Sequence, residues 1–191
     1  MTRVLVAGMG NVLRGDDGFG VEVARNLAEP GVMPPGITLI EVGIGGIHLV
    51  QELMAGYDAL IVIDATERGG APGTVYVLEA EVPDLACWSA DKRGDFLADM
   101  HYTTPAKALV LARALGVLPP AVFMVGCQPA AADDIGIGLS EPVARAISLA
   151  TSEVKALATK LMEETCMMQS IGVPMPSEAG RAVADRIDVG D

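Results

Sequence analysis

Short aliphatic runs that alternate with helical periodicity leave this chain few folds to adopt. The runs at residues 3–7, 37–42 and 59–64 are almost unbroken in apolar side chains, where a strand with one wet face would alternate. Two further runs, 74–78 and 121–126, also read as strands. Between them lie helical patterns near residues 19–27, 47–54, 105–115 and 142–163. Strands and helices in alternation predict an α/β fold with a largely parallel central sheet covered on both faces. The turn ERGGAPG between the third and fourth strands is too short for a crossover helix, so the fourth strand is expected to run antiparallel.

At 191 residues the chain suits one domain, expected over residues 1–164, with a tail or edge-covering segment over 165–191. The last helix carries Val143, Ile147, Ala150, Val154, Leu157 and Leu161 at spacings of three and four, with Ser140 as its expected N-cap. Beyond Glu164 the periodicity fades, and Pro174 and Pro176 exclude a continuous helix there. No apolar run approaches the roughly 18 residues of a membrane span, and the first residues enter a strand without a signal region; a cytoplasmic monomer is expected. Cys87, Cys127 and Cys166 are odd in number and widely spaced, which predicts free thiols. A net charge of −12 argues against nucleic acid as a partner and leaves a metal ion or a basic peptide open.

The chemistry concentrates in GMGNVLRGDDGFG, Gly8 to Gly20. A dinucleotide turn needs Gly-x-Gly-x-x-Gly opening directly into a helix. Here the third glycine, Gly15, falls two residues late, and Asp16 and Asp17 occupy the helix start, where carboxylates repel a phosphate. One aspartate is accounted for as an N-cap; the other, assigned to Asp17, stands where open α/β sheets place their ligands. Asp64 ends the buried strand LIVID and must be hydrogen-bonded, paired or metal-bound; tying down the following turn is the alternative role. Of the two histidines, His48 falls inside a helical pattern and reads as structural or solvated, whereas His101 lies in a loop just before a helix opened by Thr104 and Pro105. Two carboxylates and an imidazole suit a borderline divalent ion such as zinc or nickel, although the spacing alone is not diagnostic.

Taken in order, GMGNVLRGDDGFG, the strand end IDA, HYTTPAKAL, and VGCQP followed by GIGLS resemble the nickel-iron hydrogenase maturation endopeptidases over about Val4 to Leu161. The resemblance implies a three-layer α/β/α fold with a mostly parallel, mixed five-stranded sheet. It implies an endopeptidase that removes the C-terminal extension of a hydrogenase large-subunit precursor once nickel is inserted. Asp17, Asp64 and His101 match the family's metal-contacting positions and are the expected catalytic and metal-binding set. Asn11, Asp16, Gly43, Gly45, Gly46 and Gln128 are the candidate substrate-binding residues, with a turn role as the alternative for Gln128. The nickel would arrive with the substrate, leaving the resting protein metal-free.

The chain departs from the family in VGIGGI, where Ile44 stands in place of a threonine common there. The flexible backbone survives, and a side-chain hydroxyl contact does not. Two other readings stay open: a chaperone that binds the precursor without cutting it, and an α/β enzyme that binds a nucleotide or small molecule through the glycine turn.

Overall fold

The computed structural model describes residues 2–98, 104–130, 135–171 and 186–188. The strands are β1 (Val4–Met9), β2 (Ile37–Gly43), β3 (Ala59–Ala65), β4 (Val75–Glu81), β5 (Ala121–Cys127) and β6 (Arg186–Asp188). The helices are α1 (Phe19–Leu27), α2 (Gly46–Leu53), α3 (Ala90–Ala98), α4 (Pro105–Ala114) and α5 (Glu141–Ile171). They form one sheet in the order β2-β1-β3-β5-β4-β6. β1 pairs in parallel with β2 and β3, and β3 with β5, while β4 runs antiparallel to β5 as the short turn requires.

Each of the first three strands points its side chains alternately into two apolar layers. Leu5, Ala7, Leu60 and Val62 face a layer with Leu49, Leu53, Leu109 and Ala112 of α2 and α4. Val4, Val6, Ile61 and Ile63 face the other, with Phe19, Val23 and Leu27 of α1 and Val143, Ala150 and Val154 of α5. β1 and β3 are dry on both faces, which is why they read as continuous apolar runs, while β2 at the sheet edge is mostly half-buried. Thr104 caps α4, its hydroxyl accepting from Lys107 N at 3.3 Å, with Pro105 in the first turn.

The boundary between α1 and the sheet depends on glycine. A Cβ on Gly20 would overlap the carbonyl oxygens of Ile63 and Met9, and one on Gly8 would overlap the Gly20 carbonyl and the Ala24 side chain. Helix α1 therefore rests backbone to backbone on β1 and β3, an approach that only glycines at both positions allow.

Three elements differ from the sequence pattern. Helix α3 has no apolar periodicity because ADKRGDFLA is mostly polar; Phe96 anchors it, buried in the α2/α4 layer and edge-on to Trp88 with ring centroids 5.5 Å apart. Helix α5 continues to Ile171, past the point at Glu164 where the apolar spacing fades. The sheet also gains a sixth strand, β6, which pairs in parallel with the edge strand β4 from Glu79↔Arg186 to Glu81↔Asp188. Three residues are too few for a strand period to be visible in the sequence.

The glycine contacts make a paired prediction for thermal melts. Gly20→Ala should lower stability by about 2–3 kcal/mol through overpacking against fixed backbone. Gly94→Ala, in exposed α3 with open space around its Cα, should be neutral or raise it by up to about 1 kcal/mol.

Candidate active site

Strands β1, β2, β3 and β5 all end at the same edge, and the chain passes from β1 to β2 on one side and then to β3 on the other. The crevice between β1 and β3 is thus the point where the strand order reverses, the usual ligand position of open α/β sheets. Asp17 follows β1 and Asp64 ends β3, so the two carboxylates named from sequence come to this crevice from adjacent strands. Gly10 lies between them: a Cβ there would overlap the Asp17 carbonyl oxygen and stand 3.4 Å from Asp64 Oδ1.

The glycine turn is closed on itself. Gly10 N donates to Gly43 O at 3.1 Å, and Asn11 N donates to Asp17 at both its carbonyl oxygen, 3.2 Å, and Oδ2, 2.9 Å. Leu13 N donates to Asn11 Oδ1 at 3.0 Å, an Asx turn, and Gly15 N donates to Gly136 O at 2.8 Å. The amides that a phosphate would need are already engaged by the chain itself, so the turn is a mount for Asp17.

Neither aspartate caps a helix. Residues Gly15–Gly18 form a short 3-10 turn that leads into α1 at Gly18, with no side-chain cap on either element. Asp16 is buried and points the other way. Its Oδ2 accepts from Ala130 N at 2.8 Å and Ser140 Oγ at 2.9 Å, and its Oδ1 accepts from Ser140 N at 2.6 Å. One carboxylate thereby fastens the glycine turn to the segment after β5 and to the start of α5. No sequence pattern links residues 16, 130 and 140, which is why this clamp was not foreseen. Ser140 does supply the first carbonyl of α5, to Ala144 N at 2.8 Å, while its hydroxyl donates to Asp16.

Asp64 is 8% exposed, and its hydrogen bond among the described residues is local, from Ala65 N to Oδ1 at 2.9 Å. Burial, and secondarily the charge of Asp17, push its pKa up from 3.8 to about 8, against a smaller lowering by the Ala65 amide. A carboxyl group that is costly to ionise alone becomes favourable to ionise beside a cation, a chemistry that suits this pair to positive charge.

The remaining candidates divide. Gly43, at φ +60°, and Gly45 and Gly46 line the exit of β2 beside the turn. Buried Gln128 uses its side chain inward: Oε1 accepts from Arg68 N at 2.7 Å and Gly70 N at 3.2 Å, bracing the turn between β3 and β4. His48 is exposed on α2. His101 lies outside the described residues. The Cys127 thiol is buried and pushed up to about 11, by burial first and then by Asp16, which makes it a poor nucleophile.

With this geometry in view, the chain was compared with known proteins. A family model described as hydrogenase maturation protease matches residues 21–157. The hydrogenase expression/formation protein HupM of Azotobacter chroococcum mcd 1 is 39% identical over 142 residues, 74% of this chain and 64% of that protein. The chain belongs to the hydrogenase maturation protease family. HupD of Rhodobacter capsulatus, another hydrogenase expression/formation protein, is 34% identical over 151 residues, 79% of this chain and 69% of that protein. The chain thus spans about two thirds of the length of these curated relatives. The solved structure of the hydrogenase maturating endopeptidase HybD from E. coli superposes with a TM-score of 0.65 at 28% identity, covering 83% of this chain and 93% of that one. This maturation-protease chain has the α/β fold that its sequence pattern predicts, with α3 added and β6 at the sheet edge.

The raised pKa of Asp64 has a measurable sign. Because the folded protein binds this proton more tightly than the unfolded chain, the stability it contributes is full below pH about 4 and is lost as pH rises through about 8. In metal-free protein, Asp64→Asn should therefore melt close to wild type at pH 4 and several degrees higher at pH 9. A melting difference independent of pH would show that Asp64 carries no such strain.

Proposed function

We propose that this chain is an endopeptidase that removes the C-terminal extension of a nickel-iron hydrogenase large-subunit precursor and recognises its substrate by the nickel already seated there. The observation that carries the reading is the convergence of Asp17 and Asp64 on one crevice, one mounted on a closed backbone turn and the other held in a dry strand end. Together they present oxygen ligands to a cation and leave the rest of its coordination to the substrate. His101, just ahead of α4, is proposed as the third contact, and Asn11 and Gly43, Gly45 and Gly46 as the backbone-rich wall along which the substrate peptide lies.

In this scheme the residues of the chain bind and orient. Asp17 is positioned by the Asn11 amide, and Asp64 gives up its proton when the cation arrives. Asp16 is assigned a positioning role, through Ala130 and Ser140, and Gln128 the role of a turn brace. A cation bound at this crevice would supply Lewis-acid polarisation of a nearby peptide carbonyl. Three contacts drawn from separate segments form no closed four-coordinate shell, so the resting protein is proposed to hold free nickel or zinc only weakly.

Incubation with nickel-loaded and nickel-free precursor, followed by mass measurement of the large subunit, tests the proposal. Loss of a C-terminal peptide from the loaded form alone is expected, with Asp17→Ala folded at wild-type melting temperature and at least 100-fold slower. Cleavage of both forms at equal rate would refute metal recognition, and binding of the loaded form without any cleavage would make the protein a chaperone.

A further inference from the structure

Among the described residues, eight large apolar side chains are exposed, and five of them, Leu13, Ile44, Ile47, Ile135 and Ile137, stand at the edge that carries Asp17 and Asp64. Four of the five are in loops and strongly exposed: Leu13 at 59%, Ile44 at 72%, Ile135 at 94% and Ile137 at 89%. Two of the others, Met54 and Leu115, follow the C-terminal ends of α2 and α4, and Leu149 lies within α5.

The loops that carry these side chains are held by backbone bonds. Arg14 and Gly136 form a parallel bridge, with Gly15 N donating to Gly136 O at 2.8 Å and Gly136 N donating to Leu13 O at 3.1 Å. This joins Leu13 to the isoleucines on either side of Gly136. The Asp16 carboxylate secures the same two segments a few residues further on, at Ser140. Ile44 follows Gly43, whose carbonyl accepts from Gly10 N in the same turn. A fixed apolar rim therefore borders a recessed acidic floor, although no core requires these side chains to be there.

We infer that Leu13, Ile44, Ile135 and Ile137 are a docking rim for an extended, uncharged aliphatic segment of the precursor polypeptide, next to the cation that Asp17 and Asp64 receive. The inference rests on the proposed function and adds the chemistry of the substrate chain. Charge decides between the occupants. A second copy of this chain would bring another net charge of −12 to an edge whose floor is already acidic. A partner segment that carries a divalent cation neutralises that floor, and its aliphatic residues cover the rim.

Biolayer interferometry on immobilised nickel-loaded precursor tests the rim, with the triple variant Leu13→Ser/Ile135→Ser/Ile137→Ser and the milder Ile135→Thr/Ile137→Thr beside a control pair, Leu115→Ser/Leu149→Ser. All replace exposed side chains and should melt near wild type. The triple variant is expected to bind at least tenfold more weakly and the double variant by an intermediate factor, with KM raised in proportion, kcat within about twofold, and the control unchanged. Equal binding by the triple variant, equal loss in the control, no binding by wild type, or a wild-type dimer in sedimentation that the triple variant dissolves would each overturn the inference. Mass measurement on the same samples keeps the two readings apart: wild type that binds the loaded precursor without cutting it defeats the endopeptidase proposal, while a binding loss confined to the rim variants still supports the rim.

Discussion

The backbone contact of α1 with β1 and β3 is the constraint on which the site depends. Because Gly8 and Gly20 carry no side chain, the helix settles onto the strand ends instead of standing off by the width of a residue. The turn that joins β1 to α1 is then compressed into a 3-10 segment, and Gly10, at φ +119°, passes directly beneath the Asp17 carbonyl. That compression brings a loop carboxylate beside Asp64 on the neighbouring strand. Glycine-rich turns after a first strand commonly serve phosphate; here the amides point back into the chain, and in the proposed function the same economy of side chains serves a cation.

Asp16 and Asp64 have opposite fates for a physical reason. Asp16 is satisfied three times over by donors from the far end of the chain, so its charge is stabilised and its work is mechanical. Asp64 is dry and holds a single amide from its own neighbour, so its charge lacks stabilisation until a cation supplies it. Asp17, half-buried on the turn, links the two. In the proposed function the structural role falls to Asp16 and the binding role to Asp17, side chains that the sequence sets next to one another.

Much of this was legible in the sequence because it is written in local patterns. The dry strands show as unbroken aliphatic runs, the reversal at β4 as a turn too short to cross, and the α4 start as Thr104-Pro105. Asp17 and Asp64 stood out because carboxylates at the ends of buried strands need a partner. What was not legible is long-range or unpatterned. The bond from Asp16 to Ser140 spans most of the chain, Gln128 turned inward to Arg68 and Gly70, α3 is a polar helix anchored through Phe96, and the Ile135 and Ile137 rim belongs to no periodic element. A residue-type pattern signals what a side chain needs, and the fold alone decides which distant group meets the need.

In the proposed function Asp17 and Asp64 meet the substrate's nickel directly. X-ray absorption at the nickel edge of loaded precursor, recorded alone and in complex with the chain carrying Asp17→Ala, Asp64→Asn or neither, tests it most directly. The unaltered chain should add oxygen scatterers to the nickel shell, and each substitution should remove part of that addition. A nickel environment unchanged by a complex that demonstrably forms would contradict it.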